Sequence, residues 1–252
     1  MARRRFFVDE LRHGRACLTG EDARHLRQVL RAEPGQKYEI CDNSSVWLAE
    51  VEASREGEVV FRALDEVPPT LPPVRVTVLA ALTKFDRFEW TLEKATELGV
   101  EAFIPVEAAR SEVGLAQAAL KRMERWRRIV RQSSQQARRS RMPEIAAPMR
   151  FECAVAMAAP LRYSLDETGG IPLLSAVPAV RNPEDRVLLL TGPEGGWTAG
   201  ERRTACESGW TPISLGPLIL RVETAVLASV AVLVNAWMTG PSVDSAVWRP
   251  LS

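Results

Sequence analysis

Between Val187 and Thr224 the chain twice runs from an apolar stretch into a glycine turn and on into a helix. The first pass is Val187–Leu190, then Thr191 and Gly192-Pro-Glu-Gly-Gly196, then Thr198-Ala-Gly-Glu201. That last Thr-x-x-Glu spacing is a capping box, the mark of a helix start. The second pass is apolar to Leu215, turns at Gly216-Pro217 and enters a helix at Glu223-Thr224. Gly192 and Gly216 are 24 residues apart. Each turn offers bare backbone amides and room for close approach, because glycine lacks a Cβ. In α/β sheets, ligands bind at the carboxyl ends of strands, where such turns lie.

Upstream, the pattern alternates in the same way. Val74–Leu82 reads as a buried strand and Lys84–Leu98 as a helix with Phe85, Phe88, Leu92 and Ala95 on one side, stopped by Gly99. Ala102–Val106 is a second strand, 120–139 an arginine-rich helix, and Arg162–Leu165 and Thr211–Leu215 are further strands. This alternation predicts a mostly parallel sheet with helices on its faces. The helix from Glu223 to about Met238 is apolar almost all round, which predicts burial on several faces, in a core, a subunit interface or both.

The N-terminal part differs. Lys37–Cys41, Val46–Ala53 and Val59–Leu64 predict a meander of short strands, part of a small barrel. A helix is expected over Gly20–Arg31, with Leu26, Val29 and Leu30 on its apolar face and Pro34-Gly35 as its stop. Val67-Pro-Pro-Thr-Leu-Pro-Pro73 is a semi-rigid spacer, so we divide the chain into domains 1–70 and 73–252.

Composition narrows the function classes. Four scattered cysteines without a C-x-x-C pair fit reduced thiols in the cytoplasm. Only two histidines are present, so no histidine-rich metal site is expected. The longest apolar run, Ala225–Val234, is too short for a membrane span. Net charge is +1, yet Lys121–Arg150 holds ten basic and two acidic residues, either a solvated face or a phosphate track. Arg138, Arg139 and Arg141 lie in it. Arg4, Arg5, Arg24, Arg27 and Arg31 extend the track onto the small domain.

Taken alone, Gly192–Gly196 matches neither a dinucleotide loop nor a P-loop. Together with Leu215-Gly-Pro-Leu-Ile-Leu-Arg-Val-Glu-Thr224, it resembles the cofactor-binding region of the SPOUT RNA methyltransferases. Arg5-Phe-Phe-Val8, Leu18–Arg31, Lys94-Ala-Thr-Glu-Leu-Gly-Val100, Arg125-Trp-Arg-Arg-Ile129 and Arg141-Met-Pro-Glu-Ile145 narrow the resemblance to the RsmE family, the ribosomal RNA small-subunit methyltransferases. The resemblance implies an α/β fold: a SPOUT-type parallel sheet with a C-terminal trefoil knot, preceded by a small PUA-like β-barrel. It further implies a homodimer formed through the knotted domain, S-adenosyl-L-methionine as cofactor, and methylation of uridine N3 in 16S rRNA of the small ribosomal subunit. Two departures are visible: Leu218 stands where the family usually has Arg, and Ala109-Arg110-Ser111 where it usually reads Glu-Arg-Ser.

On this reading the cofactor is held by Leu165, Leu190, Thr191, Gly192, Glu194, Gly195, Gly196, Leu215, Gly216, Ile219, Leu220 and Thr224. Uridine N3 carries a proton, and its loss puts charge on the flanking carbonyl oxygens. A fixed guanidinium suits that charge, and Arg221 is the candidate. Glu194 is either a proton acceptor or a carboxylate near a helix N-terminus. Arg110 joins the RNA-contacting candidates. A non-catalytic RNA-binding protein of this fold, and a related methyltransferase acting on tRNA or a ribose hydroxyl, are the alternative functions.

Overall fold

The computed structural model describes residues 4–239. Residues 1–3 and 240–252, where the outer ends of both expected domains fall, lie outside the described residues. The chain separates into two compact units. One runs to Leu71 and includes Arg131–Met142; the other holds Pro72–Val130 and continues from Pro143. The first break falls inside the proline-rich spacer. The segment Arg131–Met142, assigned from sequence to the second domain, groups instead with the first unit.

The first unit contains β1 (Arg5–Phe7), β2 (Arg15–Thr19), α1 (Gly20–Gln28), β3 (Lys37–Cys41), β4 (Val46–Arg55) and β5 (Glu58–Val67). Its strands form one sheet in the order β1-β3-β4-β5-β2, antiparallel except where β1 runs parallel to β3. Alternation sends Ala16 and Leu18 of β2 inward, where they meet Leu26, Ile40 and Phe61. Bulges in the β4–β5 ladder bend the sheet. The helix expected to reach Arg31 ends earlier, because Arg31 takes a left-handed φ of 52° and Ala32 N–H returns to the Leu26 carbonyl. Val29, placed from sequence on the apolar face, is 65% exposed at that helix end.

The second unit is built on a parallel sheet. Its elements are β6 (Arg75–Ala81), α2 (Phe85–Glu97), β7 (Ala102–Glu107), α3 (Leu115–Leu120), α4 (Met123–Gln136), β8 (Glu144–Ile145), β9 (Met149–Arg150), α5 (Phe151–Val155), β10 (Leu161–Leu165), β11 (Ile171–Pro172), α6 (Leu173–Ala176), β12 (Arg186–Thr191), α7 (Ala199–Glu207), β13 (Thr211–Ser214) and α8 (Val222–Thr239). The division between the units falls within α4. The strand order is β11-β13-β10-β12-β6-β7-β8, with β9 also on β7, and every pair is parallel. Both faces of the sheet are covered, which is why its strands read as continuous apolar runs. Val76, Val78, Ala80, Val187 and Leu189 pack toward α2 and α8, whereas Leu79, Ala81, Leu188 and Leu190 pack toward α5 and α7.

Two helices depart from expectation. The stretch 120–139 is not one helix: α3 and α4 flank a break at Lys121-Arg122, and α4 stops at Gln136. Arg138, at φ 54°, closes its end, and Arg139 N–H reaches the Ser134 carbonyl. The last helix, α8, is long and apolar enough to cross a membrane by length and composition alone. Here one face packs into the core through Val226, Ser229, Val230, Leu233, Ala236 and Trp237. Leu227, Ala231, Val234 and Met238 stay partly or fully exposed, so a single chain buries fewer faces than the sequence predicts.

Candidate functional site

Strand order makes the site. In the sheet β10 lies between β13 and β12, so the carboxyl ends of these three strands come together although they are distant in sequence. Around them lies a cavity with about 560 Å³ of open space. Thr191, Gly192, Pro193 and Gly196 line it from the first glycine turn; Ser214, Leu215, Gly216, Leu218 and Leu220 line it from the second. Leu165, Asp166 and Glu167 line it from the end of β10, and Val222 and Ala225 from the first turn of α8.

The first turn is held by several bonds, among them Gly196 N–H to the Pro193 carbonyl at 2.8 Å. The capping box is complete: Thr198 Oγ1 accepts from Glu201 N–H at 3.1 Å, and Glu201 Oε2 accepts from Thr198 N–H at 2.8 Å. The other oxygen of Glu201 accepts from Ala109 N–H at 2.8 Å, and Arg110 Nη1 donates to the Gly195 carbonyl at 2.6 Å. Trp197 Nε1 donates to the Leu165 carbonyl at 3.0 Å, tying the turn to β10. A Cβ on Gly192 would sit 3.1 Å from that indole. Gly196 adopts φ 66°, where side chains are strained, and its Cβ would meet Glu167 Oε1 at 2.3 Å. Arg202 fixes the rim at β10, bonding Asp166 at 3.1 Å and Glu167 at 2.6 Å.

Thr191, one of the lining residues, holds a buried hydroxyl. Thr191 is 1% exposed, and its Oγ1 makes no hydrogen bond among the described residues. A buried hydroxyl without a partner costs free energy unless a ligand or ordered water completes it.

Beside the cavity is a second, more open groove. It is lined by Asp86, Arg87 and Trp90 of α2 and by Arg221, Glu223 and Thr224. Arg221 is exposed there.

The structure therefore brings together Leu165, Thr191, Gly192, Gly196, Leu215, Gly216 and Leu220 of the expected cofactor set. It places the others elsewhere. Leu190 is fully buried in the core behind the turn, because strand alternation points it toward α5 and α7. Ile219 is 86% exposed, outside the cavity lining. Gly195 is covered by Arg110, Glu194 is paired with Arg87 at 2.6 Å, and Thr224 lines the neighbouring groove. Asp166, Glu167, Pro193, Ser214, Val222 and Ala225 went unassigned in the sequence reading. Asp166 and Glu167 follow directly on the β10 strand signal, which could have found them. Leu218, noted only as a departure from the family, lines the cavity.

The arginines also sort differently from the sequence reading. Arg5 is buried and bonded to Glu39 at 2.8 Å, and Arg138 bonds the other Glu39 oxygen at 2.6 Å. Arg110 holds the glycine turn. Arg5 and Arg138 are thus internal ion-pair members, whereas Arg110 stays exposed while bonding the turn. In the basic run, Arg122 and Arg125 pair with Glu89, and Arg131 with Asp22. Arg139 is half-buried and donates to the Arg141 carbonyl at 3.0 Å. Arg4, Arg24, Arg27, Arg31 and Arg141 are exposed. Among the described residues no cluster of His, Cys, Asp and Glu fits a metal ion.

Comparison with known proteins decides the family. Residues 70–234 match the RNA methyltransferase domain model, and residues 18–64 the RNA methyltransferase PUA domain model. A Mycobacterium tuberculosis protein named ribosomal RNA small subunit methyltransferase E is 33% identical over 249 residues, 92% of this chain and 92% of its own length. The chain belongs to the ribosomal RNA small subunit methyltransferase E family. A family member from Synechocystis is 33% identical over 85% of this chain and 71% of its own length. Among solved structures, the family member from Neisseria gonorrhoeae, bound to S-adenosyl methionine, superposes with a TM-score of 0.85. It is 28% identical, and the match covers 94% of this chain and 98% of that one. A Legionella pneumophila methyltransferase with its cofactor SAM gives a TM-score of 0.85 at 26% identity, covering 94% and 98%. The fold is accordingly the family's own, a SPOUT-type parallel α/β unit preceded by a PUA domain.

Proposed function

We propose that this chain transfers a methyl group from S-adenosyl-L-methionine to N3 of a uridine in 16S rRNA of the small ribosomal subunit. The observation that carries the reading is the cavity formed where the ends of β10, β12 and β13 meet, with Gly192, Gly196 and Gly216 in its lining and a buried Thr191 hydroxyl that has no partner among the described residues. Side-chain-free surface at Gly192, Gly196 and Gly216 and apolar walls from Leu165, Leu215 and Leu220 suit an adenosine. When bound, the cofactor supplies a methyl group activated by a sulfonium charge.

This chain's part is positioning and charge. Uridine N3 releases its proton to solvent and bonds the methyl carbon; the carbon–sulfur bond breaks, leaving a neutral thioether. Arg221, in the groove next to the cavity, stabilises the charge on the uracil oxygens. Glu194 is engaged by Arg87, so we assign it to holding the glycine turn rather than to taking the proton.

The domain 1–70 and the exposed Arg4, Arg24, Arg27, Arg31 and Arg141 provide RNA contacts, and 73–252 is the methyltransferase domain. The partly exposed stripe of Leu227, Ala231, Val234 and Met238 on α8 supports a homodimer, since helix spacing puts these residues on one side. The bacterial relatives support action in the cytoplasm.

The test joins binding and product. Calorimetry should show S-adenosylmethionine binding the purified chain. Primer extension on rRNA from a strain lacking the protein should lose a stop at one uridine, because an N3 methyl blocks pairing, and complementation should restore it. Absence of cofactor binding favours a non-catalytic RNA-binding role. A stop mapping to tRNA would reassign the substrate.

A further inference from the structure

The groove beside the cofactor cavity extends the methyl-transfer reading, on which it rests, to the acceptor. Trp90 is 44% exposed at this groove. The core does not need it: Phe88, Leu92 and Ala95 carry the buried face of α2. Asp86, Arg87 and Trp90 instead share another face of that helix, at helical spacing. Opposite, the start of α8 borders both spaces. Val222 and Ala225 line the cofactor cavity, whereas Arg221 and Thr224 line the groove. Each pair is three residues apart and so shares a face. Arg87 links the two spaces again, lining the groove while bonding Glu194 of the glycine turn at 2.6 Å.

We propose that this groove, with about 870 Å³ of open space, receives the target pyrimidine turned out of its RNA stack, its ring lying on the Trp90 indole and its carbonyl edge toward Arg221. A base must leave the stack to be modified at a pairing-edge atom, and an open aromatic face is the usual platform for it. The lining charges favour a base over a phosphate. Arg87 and Arg221 are balanced by Asp86 and Glu223, so the groove lacks the surplus of cations a phosphate site needs. A flat, neutral ring that gains anionic character on losing its N3 proton suits a mixed lining of this kind.

The experiment compares full-length wild type with Trp90→Ala and Trp90→Phe, using labelled methyl transfer into small-subunit rRNA that lacks the modification. Cofactor affinity by calorimetry and mass by sedimentation are measured alongside. Trp90→Ala should lower kcat/KM for RNA roughly 5- to 100-fold, the range for losing one stacked base. Cofactor affinity and mass should be unchanged, and Trp90→Phe, which keeps an aromatic face, should recover most of the activity. Wild-type activity in Trp90→Ala overturns the proposal. So does a loss that Phe does not repair, or one accompanied by subunit dissociation, which would make Trp90 a packing residue. A wild-type protein that neither binds the cofactor nor transfers a methyl group would instead retire the methyl-transfer reading itself.

Discussion

Arg87 Nη1 lies 2.6 Å from Glu194 Oε1, joining the first turns of α2 to the glycine turn after β12. Both side chains are about a third or more exposed, so the pair contributes well under about 1 kcal/mol to stability. Its consequence is geometric: the carboxylate considered as a base already has a partner. Glu194→Gln keeps an acceptor oxygen for Arg87 and should lower turnover less than about 10-fold. Arg221→Ala should lower kcat roughly 100- to 1,000-fold, the scale for removing one preorganised donor at a developing oxyanion. Because Arg221 lies outside the cofactor cavity lining, cofactor affinity in Arg221→Ala should stay within about twofold of wild type, the pattern of an interaction made mainly in the transition state. Steady-state kinetics with calorimetry checks all three. A collapse of kcat in Glu194→Gln with intact cofactor affinity would return the proton to Glu194.

Thr191→Val removes a buried hydroxyl that no group among the described residues satisfies. Valine has nearly the same shape, so the melting temperature should hold or rise slightly. If the cofactor completes that hydroxyl, its Kd should rise roughly 3- to 10-fold, the value of one ordinary hydrogen bond. An unchanged Kd would show that the hydroxyl points away from the ligand.

In the first unit, arginines of two kinds should separate experimentally. Glu39 bonds both Arg5 and Arg138. Glu39→Ala leaves Arg5, 3% exposed, without its counter-charge. That should cost about 3–5 kcal/mol, seen as a large fall in the denaturation midpoint. Arg24 and Arg27 are exposed on α1. Their reversal to Glu should leave stability within about 0.5 kcal/mol while weakening RNA binding and flattening its salt dependence. Unchanged RNA affinity would remove α1 from the RNA surface.

The stripe on α8 gives the oligomer test. Ala231 is exposed midway along it. Ala231→Arg places a charge among Leu227 and Val234, so a dimer formed there should sediment as a monomer while keeping its helical circular dichroism. A dimer that survives the substitution must use another surface.

Local features were legible in the sequence because their causes are local. The Thr198–Glu201 capping box, the stop at Gly99, the alternation in β2–β5 and the apolar runs of β6 and β12 depend on neighbours a few residues away. Two glycine turns after strands were enough to point to the site. The ends of α1 and α4 were missed because Arg31 and Arg138 adopt the left-handed conformation usually left to glycine; nothing in an arginine side chain announces that.

What the tertiary structure alone decided is which parts meet. Sequence does not say that β10 lies between β12 and β13, yet that order builds the cavity and brings in Asp166 and Glu167. Nor does it say what faces a charge. Arg5 and Arg138 read as cations for RNA until Glu39 is found opposite them. Leu190, expected at the cofactor, points into the core for the same reason, and Trp90, for which the sequence carries no expectation, faces the groove. Chain-local propensities set the elements of this protein. The partners of each side chain follow from packing between distant segments, and its function rests on those partners.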